Sequence, residues 1–191
     1  YMSALGARKE APGPYHRTKF TAETLVRESG LDWTIFRPSV IFGPGDKFVN
    51  RLAGIIRKSP FIPVIGSGRT RLQPMSVRDV GAAVCLAVGN PVSFGKTYDL
   101  GGPEALSYEE IFRLIASVLK IKKRVVRIPE ALVYPGAYLS NWLLPDPPIT
   151  PGQLAMMGED NICNPSDAVH DFQLSLKPFE AGIREYLKSN L

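Results

Sequence analysis

The sequence predicts an α/β protein with a parallel sheet, and three neighbouring stretches support this prediction. Residues 1–7 have the pattern of a buried strand that ends in a loop, and residues 33–38 form a second apolar stretch of strand length. Between them, the residues from Pro14 onward have the pattern of an amphipathic helix. A strand, a helix and a second strand in this order are typical of a parallel sheet covered by helices.

The overall composition is that of an ordinary globular protein. Of the 191 residues, 45% are hydrophobic and 21% are charged, which is unlike a disordered chain. The net charge of +5 suits phosphate-bearing ligands or an acidic surface, but it falls well short of a nucleic-acid-binding signature. No apolar run reaches the roughly 18 residues of a membrane span. We therefore expect neither a nucleic-acid partner nor a membrane span.

The two cysteines predict the compartment. Cys85 lies in an apolar helical stretch and Cys163 lies far along the chain, so their spacing matches no metal site. We expect both to be reduced thiols in a cytoplasmic location, with no bound metal. The sequence also has no signal-peptide pattern.

Tyr15 and Lys19 are the first candidates for chemistry. They lie four residues apart at the start of the first predicted helix, so their side chains share a face. An ammonium group beside a phenol favours the phenolate and helps such a hydroxyl to exchange a proton near neutral pH. The pair predicts acid/base catalysis, and an amphipathic surface helix is the alternative.

The rest of the chain alternates helices with short strands. Helices are predicted at 48–56, 80–88, 108–119 and 179–187. Strands are predicted at 61–65, 72–75, 97–100 and 125–129. Ser76 and Ser107 each precede a helix and have an acidic residue three positions later, which is the pattern of a capping box.

Two stretches of the second half leave alternatives open. Four cations, Lys120, Lys122, Lys123 and Arg124, follow a predicted helix and suit the negative end of its dipole, or they form a nucleic-acid patch. Residues 130–144 are strongly apolar as a whole and are interrupted by Pro135 and Gly136. This stretch either covers the core or forms an exposed surface for a partner or lipid.

Three motifs carry a resemblance to a known family. They are Y-x-x-x-K at Tyr15, R-P-S-V-I-F-G-P-G-D at 37–46 and V-R-D-V at 77–80. In this order they resemble the extended and atypical short-chain dehydrogenase/reductases of the NAD-dependent epimerase/dehydratase family. Residues 42–50, 73–80 and 159–161 are most similar to the atypical branch that includes the NAD(P)H-binding accessory subunit of respiratory complex I.

The resemblance implies a fold and a domain organisation. The expected fold is the distal half of a Rossmann-type doubly wound parallel sheet, followed by a smaller mixed α/β region that binds substrate. Residues 1–43 and 76–100 would belong to the nucleotide-binding domain, and residues 44–75 and 101–191 to the substrate-binding region. Because no Gly-rich phosphate-binding turn occurs in the sequence, we expect the chain to be a fragment of a longer protein.

The resemblance also implies the site residues and a cofactor, NAD or NADP. Tyr15 would be the catalytic acid/base, and Lys19 its electrostatic partner and a contact of the nicotinamide ribose. The expected cofactor contacts of the following loop are Pro38, Ser39 and Val40. The expected substrate contacts are Phe42, Asn50 and Arg71.

The third catalytic group of the family, a Ser or Thr at the end of the preceding strand, is a point of departure. Ser3 is the candidate, but the register places the expected hydroxyl on Ala4. Adjacent strand side chains point to opposite faces, so a shift by one residue changes the face. Ser3 is therefore either catalytic or structural.

Two functions follow from these expectations. The first is hydride transfer at a C–O centre of a sugar nucleotide, a quinone-like molecule or a similar polar metabolite by an epimerase, dehydratase or reductase. The second is a catalytically silent NAD(P)H-binding scaffold or redox-sensing subunit of a complex I-like assembly. The chain would accordingly be a homo-oligomer or a subunit of a larger complex.

Overall fold

The computed structural model describes residues 1–143, 154 and 158–187, and for residues 137–143 it describes the backbone alone. The strands are β1 (Thr34–Pro38), β2 (Ile41–Phe42), β3 (Ile62–Ile65), β4 (Arg71–Leu72), β5 (Met75–Ser76), β6 (Lys96–Leu100), β7 (Leu106–Ser107) and β8 (Val125–Ile128). The α-helices with described bounds are α1 (Pro14–Arg27), α2 (Lys47–Lys58), α3 (Val77–Ala87), α4 (Tyr108–Val118), α5 (Glu130–Leu143), α6 (Ser166–Phe172) and α7 (Phe179–Leu187).

The parallel sheet predicted for the first part of the chain is confirmed. β1 pairs in parallel with β6, with Phe36 opposite Tyr98. On the other side of β1, Met2 forms a parallel bridge with Phe36, and the amide of Leu5 donates to the carbonyl of Pro38 at 2.9 Å. The first five residues therefore run alongside β1, and α1 connects them to β1.

The smaller mixed region is also confirmed. β3 pairs with β8 in parallel, whereas β4 and β7 form an antiparallel pair. β2 and β5 add a short parallel pair between this region and the first sheet. Pro63 lies within β3, which pairs with β8 alone in the described part of the chain, as expected for a strand at a sheet edge.

The core divides into two hydrophobic clusters. One lies on the parallel sheet and contains Phe36, Tyr98 and Phe172 of α6. The other lies among α2, α4 and α7 and contains Phe42 and Phe179, whose rings meet edge to face at 5.0 Å. Because α6 packs in the sheet cluster, part of the predicted substrate-binding region contributes to the core of the predicted nucleotide-binding region.

The helix ends confirm one predicted capping box and correct another. Ser107 accepts from the amide of Glu110, and the Glu110 carboxylate accepts from the amide of Ser107 at 2.7 Å. Ser76 also caps its helix, but Asp79 instead accepts from the backbone amide of Lys177 at 2.8 Å. An acid three residues after a cap is free to bind another donor when tertiary packing brings one close.

The predicted cationic cluster also has a different partner from the expected one. The Lys123 ammonium donates to the carbonyls of Ile56 and Ser59, both at 2.6 Å, at the carboxyl end of α2 rather than α4. This placement satisfies carbonyls that a helix end leaves without intrahelical partners. It favours the structural interpretation of Lys123 over a nucleic-acid patch.

The apolar stretch after β8 forms α5, which continues through Pro135. Leu132 at its start is 72% exposed, so this end of the helix does not cover the core. The side chains of 137–143, and all of Leu144, lie outside the described residues. Among the helices that the structure describes, none is long and apolar enough to cross a membrane.

Candidate active site

Helix α1 presents Tyr15 and Lys19 together, as the sequence predicts. The helix begins with Pro14 after the extended residue Gly13, which places Tyr15 in the first turn. The Tyr15 side chain is 51% exposed, and the Lys19 ammonium lies 5.9 Å from the centre of its ring. A phenol and an ammonium are therefore adjacent at the surface of α1.

The Lys19 ammonium is held in place by the neighbouring strand. It donates a hydrogen bond of 2.9 Å to the carbonyl of Met2 and lies 5.4 Å from the ring centre of Tyr1. An ammonium group has three donors, so this bond leaves two for a ligand. Lys19 thus has a fixed position and an unused capacity to bind hydroxyl oxygens.

Ser3 points into the protein, towards a buried carboxylate. Its hydroxyl donates to Glu23 at 2.5 Å, and Ser3 itself is 2% exposed. Glu23 is fully buried and also accepts two hydrogen bonds from Arg37, at 2.8 and 2.6 Å, and one from Arg27 at 2.9 Å. Burial alone would raise the pKa of Glu23, but the bonds from Arg37 and Ser3 hold this pKa below its usual value.

This contact favours the structural role of Ser3. The next residue, Ala4, stands where the resemblance expects the catalytic hydroxyl, and it is buried. Its methyl group can neither donate nor accept a hydrogen bond. The catalytic assignment of Ser3 stays a prediction that its own hydrogen bond disfavours.

The loop after β1 uses its polar side chain within the protein. Pro38 and Ser39 are buried, and the Ser39 hydroxyl donates to the side-chain oxygen of Asn161 at 2.6 Å. Val40 is half-buried and packs against the cluster around α2. The three remain predicted cofactor contacts, and Val40 is the most accessible of them.

The predicted substrate contacts are also engaged with the protein, to different degrees. Phe42 is 1% exposed, and α7 packs so closely on it that a side chain at Gly182 would collide with its ring. Asn50 donates to the backbone carbonyl of Asp46 at 2.8 Å. Arg71 forms an ion pair with Asp160 at 2.8 Å, with its side chain 52% exposed. Burial favours a packing role for Phe42, whereas Arg71 remains open to solvent.

Comparison with known proteins identifies the family. The model of the NAD dependent epimerase/dehydratase family matches residues 7–101, which include both Tyr15 and Lys19. Over these residues the chain belongs to the NAD dependent epimerase/dehydratase family. The fold agrees with this membership, because the matched part contains the parallel strands β1 and β6 and the helix between the first strand and β1.

Two individual relatives are similar along most of the chain. The Arabidopsis thaliana protein "NADH dehydrogenase [ubiquinone] 1 alpha subcomplex subunit 9, mitochondrial" is 33% identical over 78% of this chain and 39% of its own length. A Caulobacter vibrioides ceramide reductase is 30% identical over 74% of this chain and 44% of its own length. This chain thus spans less than half of either relative.

A solved structure supports the fold alone, because its sequence is distant. The dTDP-glucose 4,6-dehydratase from Bacillus anthracis, solved in complex with NAD, superimposes with a TM-score of 0.71 at 17% identity. The match covers 98% of this chain and 59% of the dehydratase. The Rossmann-like α/β fold expected from the sequence is therefore shown.

Within this epimerase/dehydratase fold, the residues of α1 fit a dinucleotide better than those of the following loop. Lys19 retains two donors that suit the vicinal hydroxyls of a ribose, and Tyr15 is exposed beside it. Ser39, by contrast, already donates its only hydroxyl proton to Asn161. Among these residues, Lys19 is thus the one whose remaining donors could hold a dinucleotide.

Glu23, Arg37 and Asn161 organise this region, although their residue types and positions in the sequence predicted no catalytic or binding role for them. One signal for Glu23 was available, because it lies four residues after Lys19 on α1 and so shares its face. A carboxylate on a helix face that packs on a strand needs a cationic partner, and Arg37 lies on that strand. Asn161 was named only within the stretch 159–161 that carries the resemblance, and no local pattern indicated its contact with Leu5, 156 residues away.

Proposed function

We propose that this chain is part of an NAD(P)(H)-binding protein that holds its dinucleotide with little or no turnover. In this proposal the Lys19 ammonium binds the nicotinamide ribose and Tyr15 lies beside the nicotinamide. The dinucleotide would stabilise the assembly or report its redox state, as in a scaffold or redox-sensing subunit. The bound dinucleotide would supply a hydride donor or acceptor.

The observation that carries the proposal is the fate of the strand-end hydroxyl. Ser3 donates to the buried Glu23, and Ala4 offers no polar group in its place. Without a hydroxyl there, a substrate carbonyl would lack a donor at the position where negative charge develops during reaction. Dinucleotide binding is unaffected by this loss, because Lys19 is fixed through Met2 and not through Ser3.

Titration of the full-length protein with NADH and NADPH, followed by nicotinamide fluorescence, tests the proposal. We expect saturable binding of one or both dinucleotides, and no dinucleotide oxidation above background with a panel of carbonyl substrates. Absence of binding to either dinucleotide would contradict the proposal. Binding accompanied by rapid turnover would replace it with the enzymatic alternative.

That alternative is an epimerase, dehydratase or reductase acting on a sugar nucleotide or similar polar metabolite. It is favoured by the adjacency of Tyr15 and Lys19, which is the geometry required for proton exchange at a C–O centre during hydride transfer. If it holds, Tyr15→Phe should reduce turnover by about 10²- to 10⁴-fold and leave dinucleotide affinity unchanged. Ala4→Ser should then raise turnover, since it restores a hydroxyl to the strand end.

The assembly is also a proposal. The Arabidopsis relative is named as a subunit of an NADH dehydrogenase, which favours a role in a larger complex over an isolated enzyme. Both cysteines are free, in keeping with a reducing compartment, and a cytoplasmic site remains our prediction. Size-exclusion chromatography of the native full-length protein from its cells tests this point. Elution as a monomer would contradict membership of a complex.

A further inference from the structure

Residues 159–161 form a short segment, called here the 159–161 strap, in which each residue contacts a different part of the chain. The Glu159 carboxylate accepts from Arg8 with both oxygens, at 2.9 and 2.7 Å. Asp160 accepts from the backbone and the side chain of Arg71. The strap therefore joins the loop before α1 to β4.

Asn161 makes the most informative contacts of the strap. Its side-chain nitrogen donates to the carbonyl of Leu5 at 3.2 Å, and its side-chain oxygen accepts from the hydroxyl of Ser39 at 2.6 Å. One amide group thus uses its donor end on one loop and its acceptor end on another. Both loops begin where a parallel strand ends, since Leu5 follows the first strand and Ser39 follows β1.

This position coincides with the site proposed above. In open α/β sheets, ligands bind in the crevice outside the carboxyl ends of the strands. The loop that Asn161 holds at Leu5 continues into α1 and Tyr15, and the loop that it holds at Ser39 contains the predicted cofactor contacts. At this edge the two loops are joined by the backbone bond from Leu5 to Pro38 and, beyond it, by the Asn161 side chain, which bridges Leu5 and Ser39.

We infer that Asn161 is a positioning residue for the dinucleotide site, holding the loops at Leu5 and Ser39 at the separation that the nicotinamide end of NAD(P)(H) requires. This inference rests on the proposed dinucleotide binding. Asn161 acts through the two loops, so its loss should weaken binding without removing any direct ligand contact.

The strap is attached by contacts that do not involve the Asn161 side chain. The backbone amide of Asn161 donates to the carbonyl of Arg71 at 2.8 Å, and Asn161 also forms a parallel β-bridge with Leu72. The ion pairs of Glu159 and Asp160 add to this attachment. Truncation of the side chain should therefore remove the bridge from Leu5 to the Ser39 hydroxyl and loosen the outer part of both loops, while the strap and the Leu5–Pro38 backbone bond stay in place.

The test compares Asn161→Ala and Asn164→Ala in the full-length protein. Asn164 is exposed and lies three residues further on, and its side chain accepts one hydrogen bond, from the amide of Ser166 at 3.1 Å. Both variants lose side-chain hydrogen bonds, so both should lower the melting temperature slightly. NADH titration and hydrogen exchange of the amides of 5–8 and 39–40 then separate positioning from stability.

We expect Asn161→Ala to raise the NADH dissociation constant about tenfold and to accelerate exchange in both loops, and Asn164→Ala to change neither. Asn161→Asp keeps the shape and the acceptor for Ser39 but cannot donate to Leu5, so it should also weaken binding. This variant serves as the test if Asn161→Ala does not fold.

Three results would contradict the inference that Asn161 positions the two loops. Unchanged NADH affinity in Asn161→Ala, with wild-type binding intact, would overturn the inference and leave the proposed function standing. Weaker binding without faster exchange in the loops would also overturn it, since Asn161 would then not affect binding through the loops. Absence of NADH and NADPH binding in the wild-type protein would instead contradict the proposed function, and the inference with it.

Discussion

The two sides of the candidate site use their polar groups in opposite ways. On the α1 side, Tyr15 is exposed and Lys19 is half-buried with two of its donors unused, whereas Glu23, one turn later on the same face, is fully buried. On the loop side, Ser39 and Asn50 already donate to other protein groups, and Phe42 lies in the core. The comparison teaches that residue type alone does not mark a binding group; a group must also be left free by its own fold.

The largest expected effect comes from the buried carboxylate on the α1 side. Glu23→Gln removes the negative charge between Arg37 and Arg27 and should lower the free energy of unfolding by about 3 kcal/mol. This loss of unfolding free energy is at the low end of the range for a broken buried ion pair, because both arginines keep some contact with solvent. Chemical denaturation measures it.

Glu185 provides the matched control, because it also contacts two cations, Lys177 and Arg78, but its side chain is 48% exposed. Glu185→Gln should have a much smaller effect than Glu23→Gln. Equal losses for the two variants would show that burial does not distinguish the two sides.

A smaller effect is expected where α7 holds the loop that begins the predicted substrate region. The Tyr186 hydroxyl donates to Asp46 at 2.8 Å, and Asp46 also caps α2 by accepting from Val49. Tyr186→Phe should therefore cost about 2 kcal/mol of unfolding free energy, the usual range for a hydrogen bond to a charged group. Tyr15→Phe, which alters an exposed phenol, should leave stability unchanged. If Tyr15→Phe and Tyr186→Phe lower the unfolding free energy equally, the expected difference between the two tyrosines is contradicted.

The pH dependence of stability should expose His16, the buried neighbour of Tyr15. Burial and the nearby Arg8 lower the pKa of His16 below its usual value of 6.5, although Glu159 opposes them. The unfolded chain therefore takes up a proton before the folded chain does, and stability should fall as the pH drops below about 6.5. His16→Gln should remove most of this pH dependence of the unfolding free energy. If the same pH dependence persists in His16→Gln, a different group takes up the proton.

The smallest effect is expected at Arg71, the one predicted substrate contact that stays open to solvent. Its ion pair with Asp160 is about half-exposed, so Arg71→Gln should change the unfolding free energy by less than about 1 kcal/mol. A substantially larger loss would place Arg71 with Phe42 among the structural residues. A small loss keeps it available for a ligand.

The parts that the sequence predicted correctly depend on short-range patterns. The shared face of Tyr15 and Lys19 follows from helix spacing, and the cap formed by Ser107 and Glu110 follows from a four-residue motif. The parallel direction of the strands follows from the order of strands and helices, whereas the pairing of β1 with β6 was found in the structure. These features require no knowledge of which distant residues meet.

The parts that it did not predict depend on contacts between distant residues. Ser3 meets Glu23 across 20 residues, and Asn161 meets Leu5 across 156. Neither motif spacing nor periodicity encodes such pairs. The sequence therefore leaves two interpretations of the Ser3 hydroxyl, and its contact with Glu23 favours the structural one. The same limit applies to Asp79, which fits a capping box locally but binds Lys177 instead.

The most direct test of the account is the dinucleotide affinity of Lys19→Met in the full-length protein, measured beside its stability. We expect the dissociation constant for the preferred dinucleotide to rise at least about tenfold while Tyr15→Phe binds like the wild-type protein. Lys9→Met, at an exposed position of the preceding loop, controls for the loss of one positive charge. Wild-type affinity in Lys19→Met, or an equal loss in Lys9→Met, would contradict the claim that Lys19 binds the cofactor.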